Sequence, residues 1–372
     1  MARKIFSYVT ALAWLTRATY SFVLPSAALR NHLVEPKNHP SSSKEQAHWS
    51  ASSTFSLSTR TIPYSVDMAK SCLRSTSTSL TSCAMQTQTE HNDHTTDAGS
   101  NYESMPWQTS IHPGHSLTFM PYFTLAESML NSLTNVRRHH EGKYHYKEQT
   151  TESNPKQRMK RARIINDSYE SDEYRKIRMT YYDAGQDTQV FNSLWYPRAE
   201  LGDLPLLGID LIQFKDRFLV VVDFQPLNEK QDLTEVKEVW DNMPDVLKGR
   251  MSNRFYDENR FFSNHMLFGR FKKEDAVGDD GNSLIDVGGD LWNAVQSYVG
   301  LHIDLVQKMS SQVKNQSPEV GQYLHVMEKH RDYDIYSAER DPAHAMFVKM
   351  FGQEYADGFV HDFLFALSNM PS

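Results

Sequence analysis

Between Arg175 and Phe271 the chain repeats one pattern: a short run rich in β-branched and aromatic residues, then a break. RKIRMTYYD is followed, after an Asp-Ala-Gly turn, by TQVFNSLWYP. LPLLGIDLIQF and RFLVVVDFQPL come next, joined by Lys215 and Asp216 alone, and FFSNHMLFGRF is the fifth run. Such segments read as successive antiparallel strands. TFMPYFTLAESMLNSLTNV ahead of them has apolar residues at helical spacing. So do LWNAVQSYVGLHIDLVQKM, VGQYLHVMEKHRDY and AHAMFVKMFGQEYADGFVHDFLFAL behind them. PLLGIDLI and VVVDF are almost continuously apolar, whereas a sheet wet on one face alternates. The expected fold is therefore α/β: a three-layer α/β/α sandwich with a central antiparallel sheet and a pocket between the sheet and one helical layer. The polar stretch from Arg137 to Asp172 is expected to connect the first helix to this sheet.

The N-terminal part is of another kind. Arg3 and Lys4 introduce the apolar stretch IFSYVTALAWL, and small residues follow in VLPSAA. This is the form of a secretory-type signal, and the apolar run is short for a membrane span. A long Ser/Thr-rich segment comes next. Through residue 89 there are nine bases but only three acids, Glu35, Glu45 and Asp67. A basic, hydroxyl-rich, acid-poor segment has the composition of an organelle transit peptide. The expected division is residues 1–30 as a signal-like segment, 31–105 as a disordered transit-like segment and 106–372 as the folded domain. Signal followed by transit segment predicts delivery to the plastid (chloroplast) stroma, with no membrane span in the mature protein.

Taking those nine bases and three acids from the chain's 39 and 46 leaves 30 against 43. An acidic body disfavours non-specific nucleic-acid binding, and the basic run PKQRMKRAR (155–163) is either a local basic patch or a solvated face or linker. Cys72 and Cys83 are the only cysteines, and both precede the expected domain. That domain has no disulfide framework, cysteine nucleophile or thiolate-held iron–sulfur cluster of its own. Neither nucleotide-binding glycine motif occurs, and there is no GxSxG or HExxH string. His139, His140 and His145 lack an acidic or thiol partner at ligand spacing, so no metal site is expected. A redox enzyme built here has to receive its electrons from outside.

Two acids stand out. Alternation within LPLLGIDLIQF puts Leu206, Gly208, Asp210 and Ile212 on one face. Asp is disfavoured in strands and is rarely buried ionised without a partner. Asp210 therefore faces a ligand, faces solvent or meets a basic neighbour. Gly208 beside it removes a side chain, as a close-approaching ligand requires. Asp223 in VVVDFQP poses the same question more weakly, near the strand end at Pro226. In YDIYSAERDPAH, Asp341 precedes Pro342. This is the signature of a helix start, with Asp capping free amides, and also a place for a proton donor.

YDIYSAERDPAH, LPLLGIDL, VVDFQPL and FSNHMLFGR, together and in register, resemble the ferredoxin-dependent bilin reductases. The resemblance runs from about Arg175 to the C-terminus. It implies an α/β/α sandwich with an open-chain tetrapyrrole between the sheet and the C-terminal helices. It also implies no bound redox cofactor, with electrons supplied by reduced ferredoxin. ERDPAH is most similar to members that reduce biliverdin IXα at the 15,16 methine bridge, in phycoerythrobilin synthesis. Members acting next read more like EKDPAR, with Arg in place of His344. Phycocyanobilin-forming members carry a Glu on an early strand and a His on the next, at positions matching Thr180 and Asn192 here.

The activity implied is two-electron reduction of biliverdin to 15,16-dihydrobiliverdin. The alternatives are a bilin reductase of other regiospecificity, or a non-catalytic bilin carrier or lyase-like chaperone. Asp210 from the sheet and Asp341 from the helical side would deliver protons. Asn192 either hydrogen-bonds a pyrrole or lactam edge or is a satisfied strand amide. Arg270, assisted by Ser263, either clamps a propionate or is an edge-strand arginine in water. His344 either tunes Asp341 or simply sits in the first helical turn. The partners implied are ferredoxin, biliverdin and the reductase acting next. Lys215 with Arg217, Lys248 with Arg250, and Arg270 with Lys272 and Lys273 are candidate contacts for an acidic ferredoxin.

Overall fold

Four strands in chain order, β4 (Tyr174–Asp183), β5 (Gln189–Pro197), β6 (Leu206–Phe214) and β7 (Arg217–Gln225), each pair antiparallel with the next. They form the middle of one sheet, with β8 (Leu267–Lys272) beside β7 and β3 (Lys160–Glu170) beside β4. Two short strands, β1 (Arg137–His139) and β2 (Tyr146–Thr151), pair with opposite ends of β3. This computed structural model describes residues 109–151, 160–228, 233–251, 256–257, 260–277, 281, 283–313 and 320–370. The expected segments 1–30 and 31–105 lie outside the described residues.

The structure differs from the sequence expectation in two elements. Residues 160–170, read as polar linker, form the longest strand of the sheet, and most of it is buried. Its polar side chains find distant partners: Arg163 Nη2 donates to Thr109 O at 2.7 Å and meets Asp183 at 3.3 Å, and Arg138 Nε donates to Asp167 at 2.9 Å. The fifth expected run is a strand only over Leu267–Lys272; residues 261–266 are a turn.

Register decides which residues share a face, because directly paired residues project to the same side. Asn166, Thr180, Asn192, Asp210, Val221 and Phe268 form one row across six strands. Met179, Phe191, Ile209, Leu211, Val220 and Val222 point the other way and are buried. Helix α1 (Met120–Met129) and the long α3 (Asp290–Val313) cover that face. The buried positions of α3, Leu291, Val295, Tyr298, His302 and Val306 among them, follow helical spacing. The short α2 (Thr234–Asp241) packs against α3.

The opposite face is only partly roofed. Helices α4 (Val320–Arg340), α5 (His344–Phe351) and α6 (Gln353–Gly358), with a π-helical turn at Phe359–Leu364, pack over one end. Phe347, Phe351, Tyr355, Phe359 and Phe363 cluster there with Ile164, Tyr182 and Leu194. Tyr355 stacks on Phe359 at 5.7 Å, and Phe359 on Phe363 at 5.4 Å. Toward the β6–β7 hairpin the described residues cover the sheet less. Val190, Asn192, Asp210, Ile212, Leu219 and Val221 are half-buried, while their neighbours along each strand are buried. The sheet thus offers a largely apolar floor at the edge of a helical roof.

Candidate active site

Asp210 lies in the middle of this floor. Asn192 stands beside it in the register and donates from Nδ2 to Asp210 Oδ1 at 3.3 Å. Arg178, two residues along β4 from Thr180 and on the same face, donates from Nη1 to Asn192 Oδ1 at 2.5 Å. Among the described residues, Oδ2 of Asp210 has no hydrogen-bond partner. Burial lifts the Asp210 carboxyl to about 7. The charge of Asp341 pushes the same way, while the Asn192 bond and the Arg178 charge oppose it.

Asp341 comes from the helical side, in the turn between α4 and α5. It does not cap α5 in the expected manner: that helix opens at His344, and Asp341 Oδ1 accepts from the Ala343 amide at 2.8 Å. Oδ2 has no hydrogen-bond partner among the described residues. Burial raises this carboxyl above the ordinary range, opposed by the Ala343 bond and the charges of Arg178 and His344. Two elements separated by more than a hundred residues thus bring two carboxyls into each other's field. Each is anchored through one oxygen and uncommitted at the other.

The neighbouring acid has a different environment. Asp223 is wholly buried and accepts from the Ser263 amide at 2.9 Å and from Ser263 Oγ at 2.5 Å. Burial pushes its carboxyl to about 7, against those bonds. Ser263 is therefore committed to fastening the 261–265 turn to the sheet. That turn holds Phe261 at φ +64° and packs its ring against Tyr333 and Tyr336, at 5.3 and 5.4 Å. Gly208 does not leave room for a ligand. A Cβ there would lie 2.9 Å from the side-chain amide of Gln225, which fills the space and accepts from Tyr333 Oη.

Arg270 is exposed on β8, paired with Leu219 and on the same face as Asp210. Two strands and two residues separate it from Asp210, roughly 12 Å at the backbone. The His344 ring is directed at Asp357, 2.7 Å away; its charge acts on Asp341, and its amide meets the Asp341 carbonyl at 3.4 Å.

Three residues near the acids were not singled out from the sequence. Arg178 is one, although alternation along RKIRMTYYD places a charged residue on the same face as Thr180. Tyr256 is another, with Asp341 and Asp210 both close enough to reinforce the effect of burial on its phenol. Tyr336 is the third, placed through Tyr256, whose ring lies 6.2 Å away; it is flanked by the guanidinium groups of Arg260 and Arg340, at 4.7 and 4.2 Å from its ring. No metal-ligand cluster is present among the described residues.

A family model described as ferredoxin-dependent bilin reductase matches residues 130–366. The 15,16-dihydrobiliverdin:ferredoxin oxidoreductase of Nostoc punctiforme is 38% identical over 210 residues, covering 55% of this chain and 79% of that protein. Its namesake in Gloeobacter violaceus is 38% identical over 203 residues, covering 53% and 76%. The crystal structure of phytochromobilin synthase from tomato, in complex with biliverdin, superposes with a TM-score of 0.51 over 68% of this chain and 84% of that one. At 18% identity it shares the fold.

Proposed function

This chain belongs to the ferredoxin-dependent bilin reductases, and from that membership we propose how its site works. The enzyme takes two electrons from ferredoxin, one at a time, and holds no redox cofactor of its own. The substrate is biliverdin IXα, and the product is 15,16-dihydrobiliverdin. Reduction of one carbon–carbon double bond consumes two electrons and two protons. Each electron makes the bilin more basic, so protons must be at hand where water is largely excluded.

The observation that carries this reading is the meeting of Asp210 and Asp341 at the edge of the helical roof, each with Oδ2 uncommitted. An acid with a pKa near 7 is a substantial proton reservoir at neutral pH and is readily refilled. The mutual repulsion of the two carboxyls favours keeping at least one proton on the pair. Asn192 lies within the same row and supplies a polar contact to the bilin edge, and the apolar row members Val221 and Phe268 receive its flat face. Arg270, on the uncovered side, pairs with a propionate. Ser263 and His344 act indirectly, through Asp223 and through the field at Asp341.

Ferredoxin docks at the uncovered end of the floor. Arg217 and Lys272 are cross-strand partners there, and Arg270 shares their face. A basic rim beside the substrate suits an acidic donor. The acid-poor N-terminal segments carry the enzyme to the plastid stroma, and its product passes to the reductase acting next. The deciding assay is anaerobic incubation with biliverdin and reduced ferredoxin, with the product identified by chromatography against bilin standards. Unreduced biliverdin, phycocyanobilin or phycoerythrobilin as the product would overturn the assignment.

A further inference from the structure

Arg178 is 2% exposed, and it is the cation that acts on both carboxyls of the site. A guanidinium has donors and no acceptor. The group 2.5 Å from its Nη1 must therefore be the oxygen of the Asn192 amide, and the amide nitrogen must then face Asp210. An N–H donated to Asp210 Oδ1 stabilises that oxygen as the acceptor and so favours the proton on the other oxygen. We propose that Arg178 is a positioning residue for the reduction: by fixing the orientation of the Asn192 amide, it places the transferable proton of Asp210 on Oδ2. This deepens the reading of Asp210 as a proton donor and rests on it.

Packing alone does not account for Arg178. Its ring contact with Phe365 is distant, 5.4 Å from the centroid, and its Nε has no partner in the protein among the described residues. Burying a guanidinium with a donor unmet costs stability that an apolar residue would not. Charged and titratable groups surround it from several elements. Lys176 and Tyr196 come from the sheet, Tyr333 from α4, and Asp341 from the turn after α4, with His344 beside it. Tyr256 adds its phenol beside Asp210. Among the described residues, Arg178 is joined to Asp210 by a continuous run of directional bonds through Asn192, and none of these groups is.

The most direct test is neutron diffraction of the ligand-free protein exchanged into heavy water at about pH 6, below the Asp210 midpoint. Deuterium on Oδ2, with the deuterated Asn192 Nδ2 facing Asp210, is the expected result. Deuterium on Oδ1, or an Asn192 oxygen facing Asp210, overturns the proposal. Variants give an independent reading. Glutamine accepts as well as donates, so Arg178→Gln no longer dictates the amide orientation and also removes the charge. The infrared carboxyl band assigned by its loss in Asp210→Asn should then titrate at least about half a pH unit higher, a threefold change in proton affinity. Arg178→Lys should keep the wild-type midpoint.

In turnover, Arg178→Gln should lower kcat about ten- to a hundredfold with biliverdin affinity unchanged, and Arg178→Lys should recover most of the loss. An unmoved midpoint in folded Arg178→Gln overturns the proposal. Should wild-type protein fail to reduce biliverdin, the functional reading falls, while the neutron and infrared results still decide the proton's position.

Discussion

Replacing Asp223 with Asn should change the pH dependence of stability in one direction only. Asp223 is fully buried on β7, and burial holds its carboxyl near 7. In the unfolded chain the same group titrates near 3.9, about three units lower. Below that value both states hold the proton, and the stabilisation from the raised pKa is fully present. As pH rises, the unfolded state releases its proton first and is increasingly favoured; the loss is complete once the folded group ionises. At about 1.4 kcal/mol per unit, this removes up to about 4 kcal/mol between pH 4 and just above pH 7. Asn has no proton to lose. Its amide nitrogen does not accept from Ser263, a pH-independent cost of about 1 kcal/mol. The variant should therefore be the less stable protein at pH 4 and the more stable one above pH 7. Urea unfolding at half-unit pH intervals, followed by tryptophan fluorescence, measures the difference. A difference that is flat with pH, or that falls as pH rises, would refute the reasoning.

Asp210→Asn and Asp341→Asn should each slow bilin reduction by about a hundred- to ten-thousandfold; absorbance titration should show biliverdin binding within a few-fold of wild type, and full activity in either variant would remove that residue from proton delivery. Gly208→Ala should cost about 1–3 kcal/mol, because the new methyl meets the Gln225 amide; an unchanged melting temperature would show that Gln225 yields freely. Raising ionic strength to about 0.3 M should raise the KM for ferredoxin through charge screening, and Lys272→Glu should raise it at low salt. A salt-independent KM would rule out docking at the basic rim.

The middle of the sheet was legible because β4 to β7 combine β-branched runs with short connections, a local signal that tertiary packing did not override. β3 was illegible for the opposite reason. Arg163 and Asp167 look like loop residues until Asp183 and Arg138 are placed against them, and no local pattern encodes those pairings. Asp210 drew notice because an acid is out of place in an apolar strand. Arg178 sits in an equally revealing place, yet a basic residue in a polar-rich strand raises less suspicion. The bond from Ser263 to Asp223 is not legible in the sequence, because the two lie 40 positions apart. Gly208 shows the same limit: an absent side chain signals close approach, but not whether a ligand or Gln225 does the approaching.

The row from Asn166 to Phe268 has a consequence for how such an enzyme can change. Six strands set its members about 4.8 Å apart, so the row spans roughly 24 Å of the sheet. A point substitution alters one place along that span and leaves the spacing of the others intact. Inserting or deleting a single residue within a strand would instead invert that strand, exchanging its member of the row for a hydrophobic neighbour from the opposite face. Descendants of this scaffold can therefore acquire new outcomes by exchange of single residues, whereas length variation is confined to the connections between strands.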